Sequence, residues 1–276
     1  MFLVQSDTQL QGLLCGGSHD GMKNSDREGK KARFFPAIDR VDVSPEKIAG
    51  LKSEQDYVAL GLDLMIEAGS YITVAANILG PDGTWTRDQA AIGGNMVRLY
   101  KLLSAMLDQT VQHRRETSFI LARLAFETIV TLRFLLKEYD SALIDRYVKH
   151  SLDHERRLLE AMDKNIEARH GIVLPIEVRM RRSIARLFKG SGVALTELPT
   201  KRERDWGAKN LYQKAEAVGL AEAYRGMFAG ASQNVHGAWG DLYTLHLDTE
   251  GDGRFTPKLE WSRPRPHPLY SVAILS

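Results

Sequence analysis

LARLAFETIVTLRFLL, residues 121–136, decides the fold class. Leu121, Leu124, Phe126, Ile129 and Val130, with Phe119 and Ile120 just upstream, make a helix that is apolar nearly all the way round. Such a helix belongs inside a bundle. Arg123, Glu127 and Arg133 interrupt it, and charges of that kind are costly in lipid, so the segment reads as a core helix and not as a membrane span. The pattern predicts a helix from about Arg115 to Tyr139.

Working outward, Ser44-Pro45-Glu46 carries an N-cap, a proline for the first helical position and an acid for the first turn. The helix it opens runs through Tyr57, Leu60, Leu64, Ala68 and Ile72 toward Leu79, and Gly80-Pro81-Asp82-Gly83 stops it. Thr86 caps a second helix with Leu99, Leu102, Leu103 and Met106 on its apolar face. It is either separate from the central helix or continuous with it through a bend. Asp140-Ser141 starts another, with Ile144, Val148, Leu152, Leu159, Met162 and Ile166 at helical spacing, ending near His170-Gly171. Pro175 opens a fifth, a loop follows to Trp206, and further helices cover about 208–218 and the stretch from Tyr224. In the tail, GRFTPKLEW reads as a short hairpin, and the prolines of SRPRPHP argue against helix. The expectation is an all-α fold, a helical bundle of about six or seven helices with irregular termini. Residues 1–43 are expected to be loosely attached, 44–247 to form the bundle, and 248–276 to be an irregular tail.

Composition is that of a globular chain: 276 residues, 43% hydrophobic, 26% charged, net charge +2. That is enough to bury a sizeable core and names no partner by bulk charge. A single cysteine, Cys15, rules out a disulfide framework and points to a reducing, cytoplasmic setting. The opening MFLVQSDTQLQGLLCGG lacks the basic start and unbroken apolar run of a signal peptide, and no membrane association is expected.

Four groups of residues could carry chemistry. Glu116, Arg123 and Glu127, at steps of seven and four, share one face of the central helix. The surroundings place Arg123 and Glu127 inside, as a structural ion pair or the floor of a polar pocket. His150 and His154, with Asp153, share a face but lack the Glu-x-x-His pattern of bundle metal sites, so no metal or other cofactor is expected. Between Arg179 and Lys209 nine cations, among them Arg179, Arg181, Arg182, Arg186, Arg202 and Arg204, stand against three acids, an excess of six. Such a run can track a phosphate backbone or form an ordinary solvated face. Finally, YRGMFAGASQNVHGAWGDL, residues 224–242, sets Arg225, Ser232 and His236 on one face if helical, with Tyr224 off that face. Its glycines suggest a close neighbour or a bend, and a neutral imidazole there can serve a core network or act as a general base.

Two of these pieces, the Arg-x-x-x-Glu helix of Leu121–Leu136 and the Tyr224, Ser232, His236-Gly237 stretch, resemble a widespread bacterial family of helical proteins catalogued as a domain of unknown function. The resemblance spans about residues 50–245 and implies an all-helical fold. A looser likeness is to the HEPN (higher eukaryotes and prokaryotes nucleotide-binding) bundles, many of them ribonucleases of toxin and defence systems. Their arginine precedes a histidine by four to six intervening residues. Here Arg225 precedes His236 by eleven positions and Arg146 precedes His150 by four, so the spacing departs from that motif. What the likeness implies is a nucleic-acid-directed protein, a metal-independent endoribonuclease with RNA as partner. His236 would be acid or base, Arg123 or Arg225 would hold phosphate, and Glu127 would orient one of them. The competing expectation is a non-catalytic interaction or regulatory module. In it the same residues, with Glu116, Ser232 and Tyr224, form a buried network, and the partner is another protein or a second copy.

Overall fold

The computed structural model describes residues 37–79, 84–199, 205–236, 238–249 and 254–276. Helix starts follow local chemistry. Helix α1 (Pro45–Ala49) begins where the Ser44 hydroxyl accepts from the Lys47 amide. Helix α2 (Glu54–Ile78) opens on a reciprocal box between Ser53 and Asp56, and α3 (Arg87–Val111) on one between Thr86 and Gln89. The central helix is α4 (Arg115–Lys137). It is separate from α3: His113 takes a positive φ of 58°, which breaks the helix in a tight turn. Asp140 caps α5 (Ser141–Ala168), Pro175 opens α6 (Pro175–Ser191), and Gly192 closes α6 in the left-handed conformation. Short helices follow: α7 (Leu211–Ala217), α8 (Ala221–Ala223), a π-wound segment (Tyr224–Gly230), α9 (Ala231–His236), α10 (Trp239–Asp241) and a second π-wound segment (Leu242–His246). The hairpin is β1 (Leu247–Thr249) against β2 (Phe255–Pro257), with Asp248 opposite Thr256.

Helix α4 is surrounded. It packs against α3, α7, the first π-wound segment, α9 and a last helix, α11 (Pro266–Leu275). Ala125, Phe126, Ile129, Val130 and Leu135 are buried, and around them lie Met65, Ile92, Leu99, Met106, Ala215, Leu269 and Val272. The all-α bundle is as expected from the sequence. Two boundaries differ. The tail is not wholly irregular: Pro266 and Pro268 sit in the first turn of α11, where their missing N–H groups are not needed. That helix buries Leu269 and Val272 against α2 and α4, so the bundle extends through it, and the Arg133 guanidinium donates to the Leu275 carbonyl at 2.8 Å. At the other end the segment before α1 is tied down, its Val41 amide donating to Glu67 Oε2 at 2.8 Å. Residues 1–36 and the turn at 80–83 lie outside the described residues.

Gly93 has a packing role. A Cβ there would lie 2.9 Å from the ring of Trp85, whose indole N–H donates to the Leu79 carbonyl and ties the start of α3 to the end of α2. Gly93→Val is therefore expected to displace that indole and cost about 1–3 kcal/mol of stability. Urea unfolding followed by tryptophan fluorescence measures this.

Candidate functional site

The face of α4 that carries Arg123 meets the stretch after Tyr224. The Arg123 guanidinium lies 4.3 Å over the Phe228 ring, a cation–π contact, and its Nε is buried without a hydrogen-bond partner. Phe228 stacks on Tyr224 at 5.0 Å, and Tyr224 meets Tyr212 and Phe126 edge-on at 5.2 and 6.4 Å. Phe126 faces Tyr224 while Arg123 faces Phe228, so the two segments run antiparallel. The chain beyond Phe228 therefore heads toward the N-terminal end of α4, and α9, with Ser232 and His236 one helical turn apart, packs against α4 along that path.

At that end the polar atoms are crowded. Glu116 is 8% exposed, and its Oε1 accepts from the Ser262 amide at 3.0 Å. Its Oε2 is buried and unpartnered, as are Arg115 Nε, Ser262 Oγ and Thr110 Oγ1. With Arg123 Nε these are five buried polar atoms whose hydrogen-bonding capacity the protein itself leaves unused. The Arg115 guanidinium lies 5.5 Å from the Phe119 ring centre, and Phe119 lies 5.3 Å from the His267 ring. Burial, then the positive charges of Arg115 and Arg265, hold the His267 pKa below its ordinary value. His267 is therefore an uncharged imidazole at neutral pH.

Other sequence expectations are corrected. Glu127 is not inside: it is exposed, and Arg123 is half-buried with an aromatic ring as its neighbour instead of that carboxylate. The reason is geometric. The π-wound segment fills the space above Arg123, and Glu127 falls at the edge of the packed surface. Arg225 and His236 are also exposed and Ser232 is half-buried. Among the described residues no hydrogen bond joins His236 to Arg123, Glu127 or Arg225. The glycines near Tyr224 do not all mark a close approach: Gly226 faces open space, and the backbone there widens into π-winding. Asp153 is buried and holds Arg156 and Arg157, and among the described residues no group of three or more metal-ligating side chains occurs.

On α6, Arg179, Arg182, Arg186 and Lys189 are exposed and, at steps of three, four and three, lie on one face. Arg181 points elsewhere and is ion-paired with Asp163. Arg202 and Arg204 lie outside the described residues.

One feature had no signal in the sequence. Lys214 is 3% exposed, and its ammonium sits 3.6 Å from the ring centre of Trp206, which packs edge-on against Phe134 and Tyr147. Lys214 lies eight positions after Trp206, and between them the backbone reverses at Gly207 (φ 71°) and Ala208 (φ 57°). Burial lowers the lysine pKa from 10.5 to about 8, against the opposing pull of Asp205 and Glu127. The unfolded chain then binds more protons than the folded one between pH 8 and about 10.5, so this group's contribution to stability rises with pH across that window. Subtracting the unfolding free energy of Lys214→Met from that of the wild type at each pH should give a difference that climbs from pH 8 to about 10. A flat difference would show that Lys214 is not buried as a cation.

No curated protein and no solved structure matches the chain. The model of the family described as "Family of unknown function (DUF5677)" matches residues 89–254, from the first turn of α3 to the residue before the second hairpin strand. That match covers more than half of the sequence and both segments that meet at Arg123, and the chain belongs to that family.

Proposed function

We propose that this protein binds RNA, taking its phosphates along the exposed cationic face of α6, in a cytoplasmic setting. One observation carries this reading: Arg179, Arg182, Arg186 and Lys189 present four cations along a single helix face, clear of the Arg181–Asp163 pair. A line of guanidinium groups along a helix matches the spacing of a polyanion better than that of a single acidic side chain. In the finer form of the proposal the bound strand is cut without metal. As the 2′-oxygen bonds to phosphorus the P–O5′ bond breaks: the exposed His236 imidazole takes the proton of the 2′-hydroxyl and returns it to the leaving 5′-oxygen, with Arg123 or the exposed Arg225 holding the phosphate. The second reading, a non-catalytic module, draws on the exposure of Glu127 and Arg225 and on the aromatic seat of Arg123, which by itself accounts for that charge.

Fluorescence anisotropy with a single-stranded RNA tests the binding. Four phosphate contacts predict a slope of log affinity against log salt of about −3. Replacing Arg179, Arg182, Arg186 and Lys189 together by alanine should flatten it and cut affinity roughly a hundredfold at low salt. Absence of binding by the wild type at low salt would end the proposal. Incubation of RNA in EDTA then separates the two forms: cleavage lost in His236→Ala at unchanged thermal stability supports catalysis, and binding without cleavage leaves the non-catalytic module.

A further inference from the structure

Two glycines stand side by side in α3, and only one has a packing reason. Gly93 leaves room for the Trp85 ring, whereas a Cβ at Gly94 would meet nothing within 4 Å. Glycine inside a helix is destabilising relative to alanine, so Gly94 weakens α3 with no contact to offset the loss. Its missing side chain opens space in a surface pocket of about 360 Å³ between α3 and α4. Gly94, Val97, Arg98, Lys101 and Leu102 follow one another at helical spacing along one face of α3, and Leu124 of α4 lines the other side. A departure from local helix preference at one exposed position fits a site better than a scaffold.

The lining carries one sign of charge. Arg98 and Lys101 are exposed, and no carboxylate lines the pocket with them. Among the described residues neither cation forms an ion pair. The Arg98 guanidinium is nevertheless held in place. Its Nε donates to the Thr128 hydroxyl at 3.0 Å, and that hydroxyl donates to the Leu124 carbonyl at 2.8 Å. Thr128 is 2% exposed, so this support is shielded from water. The two terminal nitrogens of Arg98 have no hydrogen-bond partner among the described residues. A guanidinium fixed at one nitrogen, with its remaining N–H donors free, is suited to the paired oxygens of an oxyanion. Beside it, Val97, Leu102 and Leu124 are half-buried and supply an apolar surface. Pockets for small organic molecules run from roughly 300 to 1,000 Å³, and this one lies at the lower end. We propose that the pocket binds a small organic anion, an oxyanionic head on a short apolar body. The head lies on Arg98 and Lys101, and the body rests on Leu102 and Leu124 in the space that Gly94 leaves open. That chemistry covers both carboxylates and phosphate esters. The site stands on α3, apart from the cations of α6 and independent of the RNA reading.

Titration calorimetry of the full chain with octanoate and with phenyl phosphate tests this. At least one of them is expected to bind one-to-one at millimolar concentration or below. Octanoate alone would make the head a carboxylate, and phenyl phosphate alone would make it a phosphate ester. Arg98→Gln should weaken the binding by about tenfold or more, and Lys101→Gln by less. Gly94→Leu fills the pocket without touching a charge. It should abolish binding while the protein melts no lower than the wild type, because the new side chain starts in open space and removes a helix glycine. Octylamine, with the same body and the opposite charge, should not bind. Failure of both anions to bind, binding unchanged in Gly94→Leu or Arg98→Gln, or equal binding of octylamine would each overturn the proposal. Displacement of the bound anion by single-stranded RNA would give these cations to the strand and overturn it as well.

Discussion

The fold turns on one constraint, that α4 is apolar on nearly every side, with only a narrow strip at Glu127 left to water. Phe126, Ile129 and Val130 on one side and Leu135 on the opposite side are each essentially sealed. Fully burying a side chain of that size stabilises by roughly 1.5–3 kcal/mol, so leaving any side of α4 open would forfeit a large share of a small net stability. The bundle therefore closes round it. Helix α3 covers one side, α7 and the π-wound segment another, and α11 returns from the far end of the chain to cover a third. The cationic end of Arg133 reaches the Leu275 carbonyl at the end of α11. Burial lowers the pKa of that guanidinium without removing its charge, so the contact between chain terminus and core helix is a charged hydrogen bond.

The same constraint explains where the polar atoms collect. Where an apolar helix is covered by its neighbours, charged groups fit near its ends or where an aromatic face replaces water, and Glu127 lies on the one strip left open. Arg123 takes the second course on Phe228, and Arg115 and Glu116 take the first, beside the tail residues Ser262 and His267. Each orphaned buried polar atom costs about 1–3 kcal/mol relative to a satisfied one. Four of the five, at Thr110, Arg115, Glu116 and Ser262, belong to the N-terminal end of α4 or to residues beside it. Family membership spans the two segments that build it, α4 and the run from Tyr224 to His236, but not Ser262 or His267, which lie beyond the matched region.

Away from that axis the molecule has two surfaces of opposite character. Helix α6 lies along α5 and turns a line of cations outward, and a groove beside α2 offers an apolar floor with an acidic rim. Near-zero net charge thus conceals a separation of charge, which the bulk composition averages away.

Sequence alone determined most of the helices, because their signals are local. Thr86 with Gln89, Asp140, Pro175 and Gly192 act within one turn of where they stand, and the all-round apolar pattern of residues 121–136 allows no exterior placement. It also supplied the candidates Arg123, Ser232 and His236 through their helical spacing, and Tyr224 through the resemblance of the stretch it opens. Tertiary structure alone decided which of them meet. Glu127 shares a helix face with Arg123 yet lies in water, because exposure depends on what packs opposite, and no periodicity encodes where a neighbouring helix stops. Lys214 on Trp206, Glu116 on Ser262 and the helix Pro266–Leu275 were illegible for the same reason. Each depends on contacts between distant or reversed chain segments, and those contacts exist only once the core helix has drawn the others around it.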